Sequence, residues 1–331
     1  MLKHCRSDWD FINTTESGDL YSYAAKITEA SFYSLKNSSK KQLKKLSSKI
    51  MTNSLASVNK EQLQTFLDIA TEAACAGGAV LKAYWGNLKE VEEKRPGDLV
   101  TIADKESETM VLSILQRHFP DHGILAEESG VLGNTESRYL WAIDPLDGTT
   151  NFTHQYPFSA VSIALLIDGV PSVGAIYDPF RDEIFRAATG LGATRNRLPI
   201  HVSTTTELSR SLLVTGFAYD RTQTDDNNYA EFCHFTHITQ GVRRGGSAAM
   251  DLAYVACGRL DGYWERGLSL WDLAAGVVIV REAGGIVTAY DGSVHIPNSG
   301  RLLATNGHLH EQMVAELALI KPLPFKFPFG R

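Results

Sequence analysis

Apolar residues recur every three or four positions in the segment that follows Lys60. They are Phe66, Ile69, Ala70, Ala73, Ala74, Val80, Leu81 and Tyr84, with the small Gly77 on the same face. This spacing predicts an amphipathic helix, and Gly86 is suited to end it. A second helix is predicted from about Lys105 to His118.

Short apolar runs bounded by turn residues predict strands in the rest of the chain. The first group covers Ile124–Ala126, Tyr139–Ile143, Ser159–Leu166, Gly174–Tyr177 and Glu183–Ala187. A second group lies near 211–215, 261–264, 286–290 and 302–305, among helices predicted over 222–238, 246–257, 272–283 and 309–319. Helices thus come first, then a group of strands, then alternating helices and strands. This order predicts a layered α/β architecture with a strand-rich first half.

The composition is that of an ordinary globular protein, with 331 residues, 44% of them hydrophobic and 21% charged. This length suits two domains or one large one. The net charge of −6 argues against a nucleic-acid binder. No apolar run is long enough to predict a membrane-spanning helix. Four scattered cysteines (Cys5, Cys75, Cys233 and Cys257) predict reduced thiols and a cytoplasmic location.

The first fifty residues differ in charge from the remainder of the chain. They hold nine Lys or Arg and five Asp or Glu, and Ser34–Lys49 has six lysines and no acid. A solvated, partly helical or disordered extension is the plain interpretation. An electrostatic tether to an anionic surface is an alternative. Four acids in the first twenty residues argue against a targeting peptide, and Met51 is a possible alternative start.

Two carboxylates lie three residues apart at the end of a predicted apolar strand. The segment reads W-A-I-D-P-L-D-G-T-T-N-F, and its acids are Asp144 and Asp147. Hard cations such as Mg²⁺ prefer oxygen ligands, which these carboxylates and the carbonyl of Leu146 can supply. The N–H groups of residues 148–150 would form an anion site if they open a helix. An Asx-type turn with solvated acids is the alternative.

Further acids lie at predicted strand ends and helix starts. Glu127 and Glu128 follow an apolar strand, and adjacent glutamates repel each other unless a cation holds them. Asp272 is placed to cap the helix after it, and Asp104 lies at a strand-to-helix junction. Solvation or helix capping would explain each acid alone. Together they predict a site for two or three Mg²⁺ ions bound with a phosphate ester.

With these motifs in place, the sequence resembles the inositol monophosphatase family of Mg²⁺-dependent, lithium-sensitive sugar phosphatases. The resemblance is carried by G-D-L-V-T-I-A-D, A-E-E-S-G, W-A-I-D-P-L-D-G-T-T-N-F and W-D-L-A-A-G-V-V-I-V-R-E-A-G-G, in matching order and approximate spacing. It covers residues from about 60 to about 318 and implies a sandwich of α-β-α-β-α layers. We expect a catalytic domain over 59–320, in two halves (about 59–200 and 201–320). An extension (1–58) would precede it and a Pro-broken tail (321–331) would follow it.

The resemblance assigns the acids to metal positions. It implies that Glu127, Asp144 and the Leu146 carbonyl bind the first ion. It implies that Asp144, Asp147 and Asp272 bind the second. Glu127 would also hold a third, weaker ion.

The resemblance also implies the catalytic and substrate-binding positions. Glu127 and Thr149 would orient the attacking water, with Asp104 assisting through the third ion or its waters. The phosphate and substrate positions would be Asp147, Gly148 and Thr149, and the ring of the alcohol would contact Ser247, Ala248 and Glu265.

The activity implied is hydrolysis of inositol 1-phosphate or a related polyol or sugar phosphate by a cytoplasmic homodimer. Histidinol-phosphatase and fructose-1,6-bisphosphatase activities on the same scaffold are alternatives. A regulatory or RNA-associated binding protein that uses the basic N-terminal stretch is a further alternative, and loss of a metal ligand would favour it. All the expected carboxylates are present, so we expect an enzyme without nucleic acid as its main partner.

Overall fold

The computed structural model describes residues 58–95, 97–134, 136–296 and 300–323. The basic extension before residue 58 and the tail from residue 324 lie outside the described residues, so the hypotheses about them stay predictions. In the described ranges, no helix combines the length and the apolar character needed to cross a membrane.

Helix α1 (Lys60–Tyr84) begins with a reciprocal cap at Asn59. The Gln62 backbone N–H donates to Asn59 Oδ1 at 2.8 Å, and the Asn59 N–H donates to Gln62 Oε1 at 3.1 Å. This pairing satisfies two N–H groups that would otherwise lack partners. The buried face contains most of the predicted positions, and Gly78 lies so close to Tyr177 that a Cβ there would overlap its ring.

The larger sheet has eight strands. They are β3 (Gly123–Ala126), β4 (Gly130–Gly133), β5 (Tyr139–Asp147), β6 (Ala160–Ile167), β7 (Val170–Asp178), β8 (Glu183–Ala188), β9 (Gly192–Arg195) and β10 (Leu198–Pro199). Their spatial order is β10-β9-β8-β7-β6-β5-β3-β4. Neighbours are antiparallel except for the parallel pair β3 and β5. A separate hairpin, β1 (Val91–Arg95) and β2 (Asp98–Thr101), precedes helix α2 (Ile102–His118).

The second sheet has five strands and lies later in the chain. They are β11 (Leu212–Thr215), β12 (Gly241–Arg243), β13 (Gly262–Arg266), β14 (Ile286–Thr288) and β15 (Arg301–Thr305), in the order β12-β11-β13-β15-β14. The remaining helices are α3 (Thr149–Thr153), α4 (Tyr229–Ile238), α5 (Ala248–Ala256), α6 (Leu270–Glu282) and α7 (His310–Leu319).

The helices separate the two sheets into layers. Helices α1 and α2 cover one face of the eight-stranded sheet, while α5 and α6 pack between its other face and the five-stranded sheet. Phe235 of α4 and Met313 of α7 pack against Trp264 on the outer face of the five-stranded sheet. The order is α-β-α-β-α, so the predicted sandwich architecture is confirmed.

Several predicted boundaries are wrong. The helix expected over 222–238 begins only at Tyr229, because Asn228 before it takes a left-handed conformation with φ of 67°. Residues Tyr219–Thr222 form a separate 3₁₀ turn. Strand β5 continues through Asp147 instead of ending at Ile143, since a bulge between Asp144 and Asp147 keeps it paired with β6. The hairpin strand β1, exposed at every position, was not predicted.

Candidate active site

The two aspartates of the D-P-L-D segment lie on either side of the bulge at the end of β5. Asp144 pairs in register with Ser162 of β6, and Asp147 pairs with Ala160. The Leu146 backbone N–H donates to Asp144 Oδ1 at 2.9 Å, which fixes the turn between the two acids. Both carboxyl groups are buried, so solvated acids in an open turn are not what the structure shows.

Gly148 directly follows these acids and begins the short helix α3. Its φ of 95° and ψ of 40° belong to the left-handed region that favours glycine. A Cβ at this position would lie 3.1 Å from the Gly246 carbonyl oxygen and 3.1 Å from that of Phe158. The expectation that residues after Asp147 open a helix is thus met. Asn151 in this helix donates to the Gly245 carbonyl at 3.0 Å and so holds the two segments together.

The glutamates after β3 are held by a lysine from the unpredicted hairpin. Lys94 Nζ lies 2.6 Å from Glu128 Oε1 and 3.1 Å from Glu127 Oε1. The repulsion between the adjacent glutamates predicts a cation beside them. Lys94 supplies part of that positive charge from within the protein. The Glu127 backbone N–H donates to the Ile143 carbonyl at 3.1 Å, which places this turn beside β5.

Glu108 of α2 also fixes the A-E-E-S-G turn, although it was not predicted as a site residue. Its side chain is 2% exposed. One carboxylate oxygen accepts from the Glu128 backbone N–H at 2.9 Å, and the other accepts from the Ser129 hydroxyl. The sequence gives little sign of this role, because a glutamate inside a helix is usually a solvated surface residue.

Asp104 and Thr149 meet across 45 residues of chain. The Thr149 hydroxyl lies 3.1 Å from Asp104 Oδ1 and also 3.1 Å from the Leu146 carbonyl oxygen. The other oxygen of Asp104 accepts from the Thr101 backbone N–H at 2.8 Å in a capping box that begins α2. Asp104 thus caps the helix with one oxygen and contacts Thr149 with the other.

Asp147 is bound by the G-G-S-A-A segment that begins α5. The Ser247 hydroxyl donates to Asp147 Oδ2 at 2.5 Å, and the Ala249 backbone N–H donates to the same oxygen at 2.7 Å. Ser247 is also the N-cap of α5 and accepts from the Met250 N–H at 3.3 Å. The predicted ring-binding positions Ser247 and Ala248 therefore lie beside a predicted metal ligand.

Asp272 lies in the first turn of α6, at the third helical position. The prediction that Asp272 is the N-cap of this helix is wrong. Ser269 is the N-cap, and the helix begins at Leu270. Asp272 Oδ2 instead accepts from the Ser269 backbone N–H at 2.7 Å, as the second member of the capping box. From this position the Asp272 carboxylate is repelled by those of Asp147 and Glu127.

Glu265 lies in β13 and is 8% exposed. The Tyr263 hydroxyl donates to Glu265 Oε2 at 2.6 Å. Gly216, just after β11, lies so close that a Cβ there would overlap the Glu265 carboxylate. Burial raises the pKa of Glu265 to about 7, against the lowering effect of its hydrogen bond from Tyr263.

The carboxyl groups among the predicted metal ligands lie close enough to raise one another's pKa. Burial raises the pKa of Asp144 well above its usual range, and Glu127, Asp147 and Asp272 raise it further by charge repulsion. Burial likewise raises the pKa of Asp272, and it raises those of Asp147 and Asp104 to about 6. The structure therefore brings Glu127, Asp144, Asp147 and Asp272 together, with Asp104 and Glu265 beside them.

This donor set suits Mg²⁺ in its chemistry. Within the residues that the structure describes, no three His, Cys, Asp or Glu side chains are arranged as a ready-made metal site. The ligand types are nonetheless oxygens alone, from buried and half-buried carboxylates whose mutual repulsion a hard cation would relieve. No described histidine or cysteine is among the groups that shift the pKa values of these carboxyls.

Comparisons with known proteins agree with this geometry. The inositol monophosphatase family matches residues 62–321. The inositol-1-monophosphatase of Synechocystis sp. is 63% identical over 257 residues, which cover 77% of this chain and 90% of that protein. The inositol monophosphatase structure from Anabaena (Nostoc) sp. has a TM-score of 0.74 and 66% identity, and the match covers 79% of this chain and 98% of that one.

A relative with a different kind of name is also similar. The Nus factor SuhB of Escherichia coli (strain K12) is 40% identical over 257 residues, which are 77% of this chain and 96% of that protein. The family match nevertheless spans most of the chain and includes all the predicted site residues. The chain belongs to the inositol monophosphatase family and is a phosphatase.

Proposed function

We propose that the chain is a Mg²⁺-dependent phosphomonoesterase that hydrolyses inositol 1-phosphate or a related polyol or sugar phosphate. One observation carries the proposal: the buried Asp144 and Asp147 and the half-buried Asp272 and Glu127 lie close enough to repel one another. Such a group is costly to a protein unless a bound cation compensates it. The name of the Synechocystis relative supports inositol 1-phosphate as the first substrate to test.

Two or three Mg²⁺ ions would be held by these carboxylates and by the Leu146 carbonyl. When bound, the ions supply positive charge that acidifies water and neutralises phosphoryl oxygens. Glu127, Asp144 and the Leu146 carbonyl would hold the first ion. Asp144, Asp147 and Asp272 would hold the second. A third, weaker ion at Glu127 would compete with Lys94 for the same carboxylate, because Lys94 Nζ already lies 3.1 Å from it.

The chain's own groups would then position the water and the phosphate. The Thr149 hydroxyl bridges toward Asp104 and the Leu146 carbonyl, so it can orient a water while Asp104 accepts a proton through that hydroxyl or a neighbouring water. Glu127 would help to orient the same water. The backbone N–H groups at Gly148 and Thr149 follow a left-handed turn and would donate to phosphate oxygens.

The alcohol part of the substrate would contact the second half of the chain. The charge of Glu265 interacts with those of Asp147 and Asp272. Its carboxylate would accept hydrogen bonds from hydroxyls of the substrate ring. Ser247 and Ala248 lie at the start of α5, next to Asp147, and would line the ring. Substrate binding would therefore span both sheets.

Phosphate release from a small substrate panel tests the proposal. The substrates are inositol 1-phosphate, histidinol phosphate, fructose 1,6-bisphosphate and a nucleotide 3′-phosphate, each with Mg²⁺, with EDTA, and with Mg²⁺ plus Li⁺. We expect release that needs Mg²⁺, falls with Li⁺ and is fastest by kcat/KM for inositol 1-phosphate. Release in EDTA equal to that in Mg²⁺ would overturn the metal requirement. Faster hydrolysis of histidinol phosphate or fructose 1,6-bisphosphate would replace inositol 1-phosphate as the proposed substrate.

A regulatory role is the second candidate, favoured by the printed name of the Nus factor relative. We infer that it is secondary here, because every expected carboxylate is present. We also infer a cytoplasmic homodimer, by analogy with the family. Light scattering of the full chain checks this inference, and a monomer mass would contradict it.

A further inference from the structure

The segment after β11 packs against the strand that carries Glu265. Gly216 contacts the Glu265 carboxylate, and the 3₁₀ turn Tyr219–Thr222 begins three residues later. Arg266, the residue after Glu265, forms an ion pair with Asp220, the residue after Tyr219, with 2.6 Å between Nη2 and Oδ1. The turn is thereby fixed beside the part of the site that would bind the alcohol.

Tyr219 extends from this turn to the β1–β2 hairpin. The guanidinium carbon of Arg95 lies 5.0 Å from the centroid of the Tyr219 ring, within the range of a cation–π contact. Lys94, the neighbour of Arg95, contacts Glu127 and Glu128. Consecutive residues of the hairpin thus contact the acidic cluster and the tyrosine ring.

The phenol of Tyr219 also lies within electrostatic range of acids from both halves of the site. Partial burial raises the pKa of its phenol, and the carboxylates of Asp98, Glu127, Asp272 and Asp147 raise it further. This agrees with the contact between Tyr219 and Arg95 of the hairpin and with the ion pair between Asp220 and Arg266. The side chain is nonetheless 43% exposed, so its surface is accessible to a ligand.

We propose that Tyr219 is a substrate-positioning residue whose ring packs against the carbon face of a cyclic polyol or sugar held between Glu265 and the carboxylates. The inference rests on the phosphatase function proposed above and adds a preference for cyclic over acyclic alcohols. An aromatic face contributes packing area with few rotatable bonds. The contact with Arg95 would hold the ring in place, so little entropy is lost when the substrate binds.

The test compares kcat/KM for inositol 1-phosphate and for glycerol 2-phosphate, an acyclic ester. The ratio of the two is measured in the wild-type protein and in Tyr219→Ala, Tyr219→Leu and Tyr219→Phe. We expect Tyr219→Ala to lower the ratio about five- to tenfold, through KM for the cyclic substrate. Tyr219→Phe should keep the ratio within about twofold, because the ring remains. Tyr219→Leu keeps apolar volume without an aromatic face. Its ratio should lie between those of Tyr219→Ala and Tyr219→Phe.

The outcomes separate this inference from the function beneath it. A wild-type protein that hydrolyses neither ester in Mg²⁺ overturns the proposed function and this inference with it. A wild-type protein that is active, with an unchanged ratio in Tyr219→Ala, overturns the inference alone. A ratio that falls in Tyr219→Phe as far as in Tyr219→Ala would also overturn it. The hydroxyl, and not the ring, would then be responsible for the preference for the cyclic substrate. Thermal melting of each variant confirms that the proteins compared are folded.

Discussion

The Ser247 hydroxyl donates to Asp147 at 2.5 Å although the two residues are 100 positions apart in the chain. Asp147 belongs to the last pair of β5 in the eight-stranded sheet, and Ser247 begins α5 in the layer between the sheets. This hydrogen bond therefore connects the proposed metal-binding aspartates to the segment that would line the substrate ring. It also lowers the pKa of Asp147 against the raising effect of burial.

Replacing Ser247 with alanine should weaken catalysis mainly at low pH. Without this donor the pKa of Asp147, now about 6, rises further, so more of the carboxyl is protonated and unable to bind a cation. We expect kcat/KM to fall about tenfold at pH 7 and the acidic limb of its pH profile to move to higher pH. Ser113→Ala, on the exposed face of α2, is the control. An unshifted acidic limb would contradict this explanation.

Removing a single carboxylate charge should abolish most of the turnover while leaving the fold intact. Asp144→Asn and Asp272→Asn keep the side-chain volume and remove a proposed Mg²⁺ ligand. We expect kcat to fall at least about 10²-fold in each. Asp121→Asn, at an exposed position, should match the wild type. Circular dichroism establishes folding, and turnover close to wild type in either variant would refute the assignment of that ligand.

Glu108 should matter for activity without contacting the substrate. In Glu108→Gln, one of the two acceptor oxygens becomes an NH₂ group, which cannot accept from the Glu128 N–H or the Ser129 hydroxyl. We expect kcat to fall about tenfold and the Mg²⁺ concentration for half-maximal activity to rise, because Glu127 loses its support. Glu106→Gln makes the same chemical change at an exposed position of the same helix. Equal activities in both variants would exclude a positioning role.

Asp251 of α5 should make the protein less stable as the pH rises. Both of its carboxylate oxygens are buried and lack hydrogen-bond partners among the described residues, and burial raises its pKa well above the usual range. Because the folded pKa exceeds the unfolded one, the stabilising effect of protonation is full below about pH 4 and is lost as the pH rises.

Asp251→Asn mimics the protonated side chain, so it should raise the free energy of unfolding by at least about 1 kcal/mol at pH 8. At pH 4 the variant and the wild type should be similar. Urea denaturation at the two pH values measures the difference. An equal effect of the substitution at both would show that ionisation of Asp251 does not limit stability.

Deletion of residues 1–50 should leave the activity essentially unchanged. The predicted site residues all lie between Asp104 and Asp272, and the family match begins at residue 62. The measurement is kcat/KM for inositol 1-phosphate in the full and shortened chains at equal protein concentration. A collapse of activity would mean that the extension takes part in assembly or in the site.

The acids of the site could be predicted because they occur in short motifs at the ends of apolar strands. Asp144 and Asp147 lie in the last part of β5, and Glu127 follows β3. The two strands are parallel neighbours, so these acids come from strand ends that lie side by side. Helix α1 could be predicted equally well, since its apolar positions keep one spacing over its whole length. These features are local, and local patterns are what a sequence displays most directly.

The partners of these acids could not be predicted from local patterns. Strand β1 reads V-E-E-K-R and is exposed throughout, so neither alternation nor hydrophobicity marks it. Lys94 therefore gave no sign of its contact with Glu127. Glu108 and Tyr219 are ordinary residues by spacing, and only the packing of α2 and of the turn after β11 brings them to the site.

Lys94 precedes the acids of the site in the chain, so it is synthesised before them. The acids at 127, 144 and 147 leave the ribosome well before Asp272, so the growing chain carries an acidic group that is still incomplete. Lys94 is made before any of these acids and already contacts Glu127 and Glu128 in the finished protein. We expect it to serve as an internal counter-ion from the moment β3 folds. The nascent chain would then tolerate its own acidic cluster before it binds any cation.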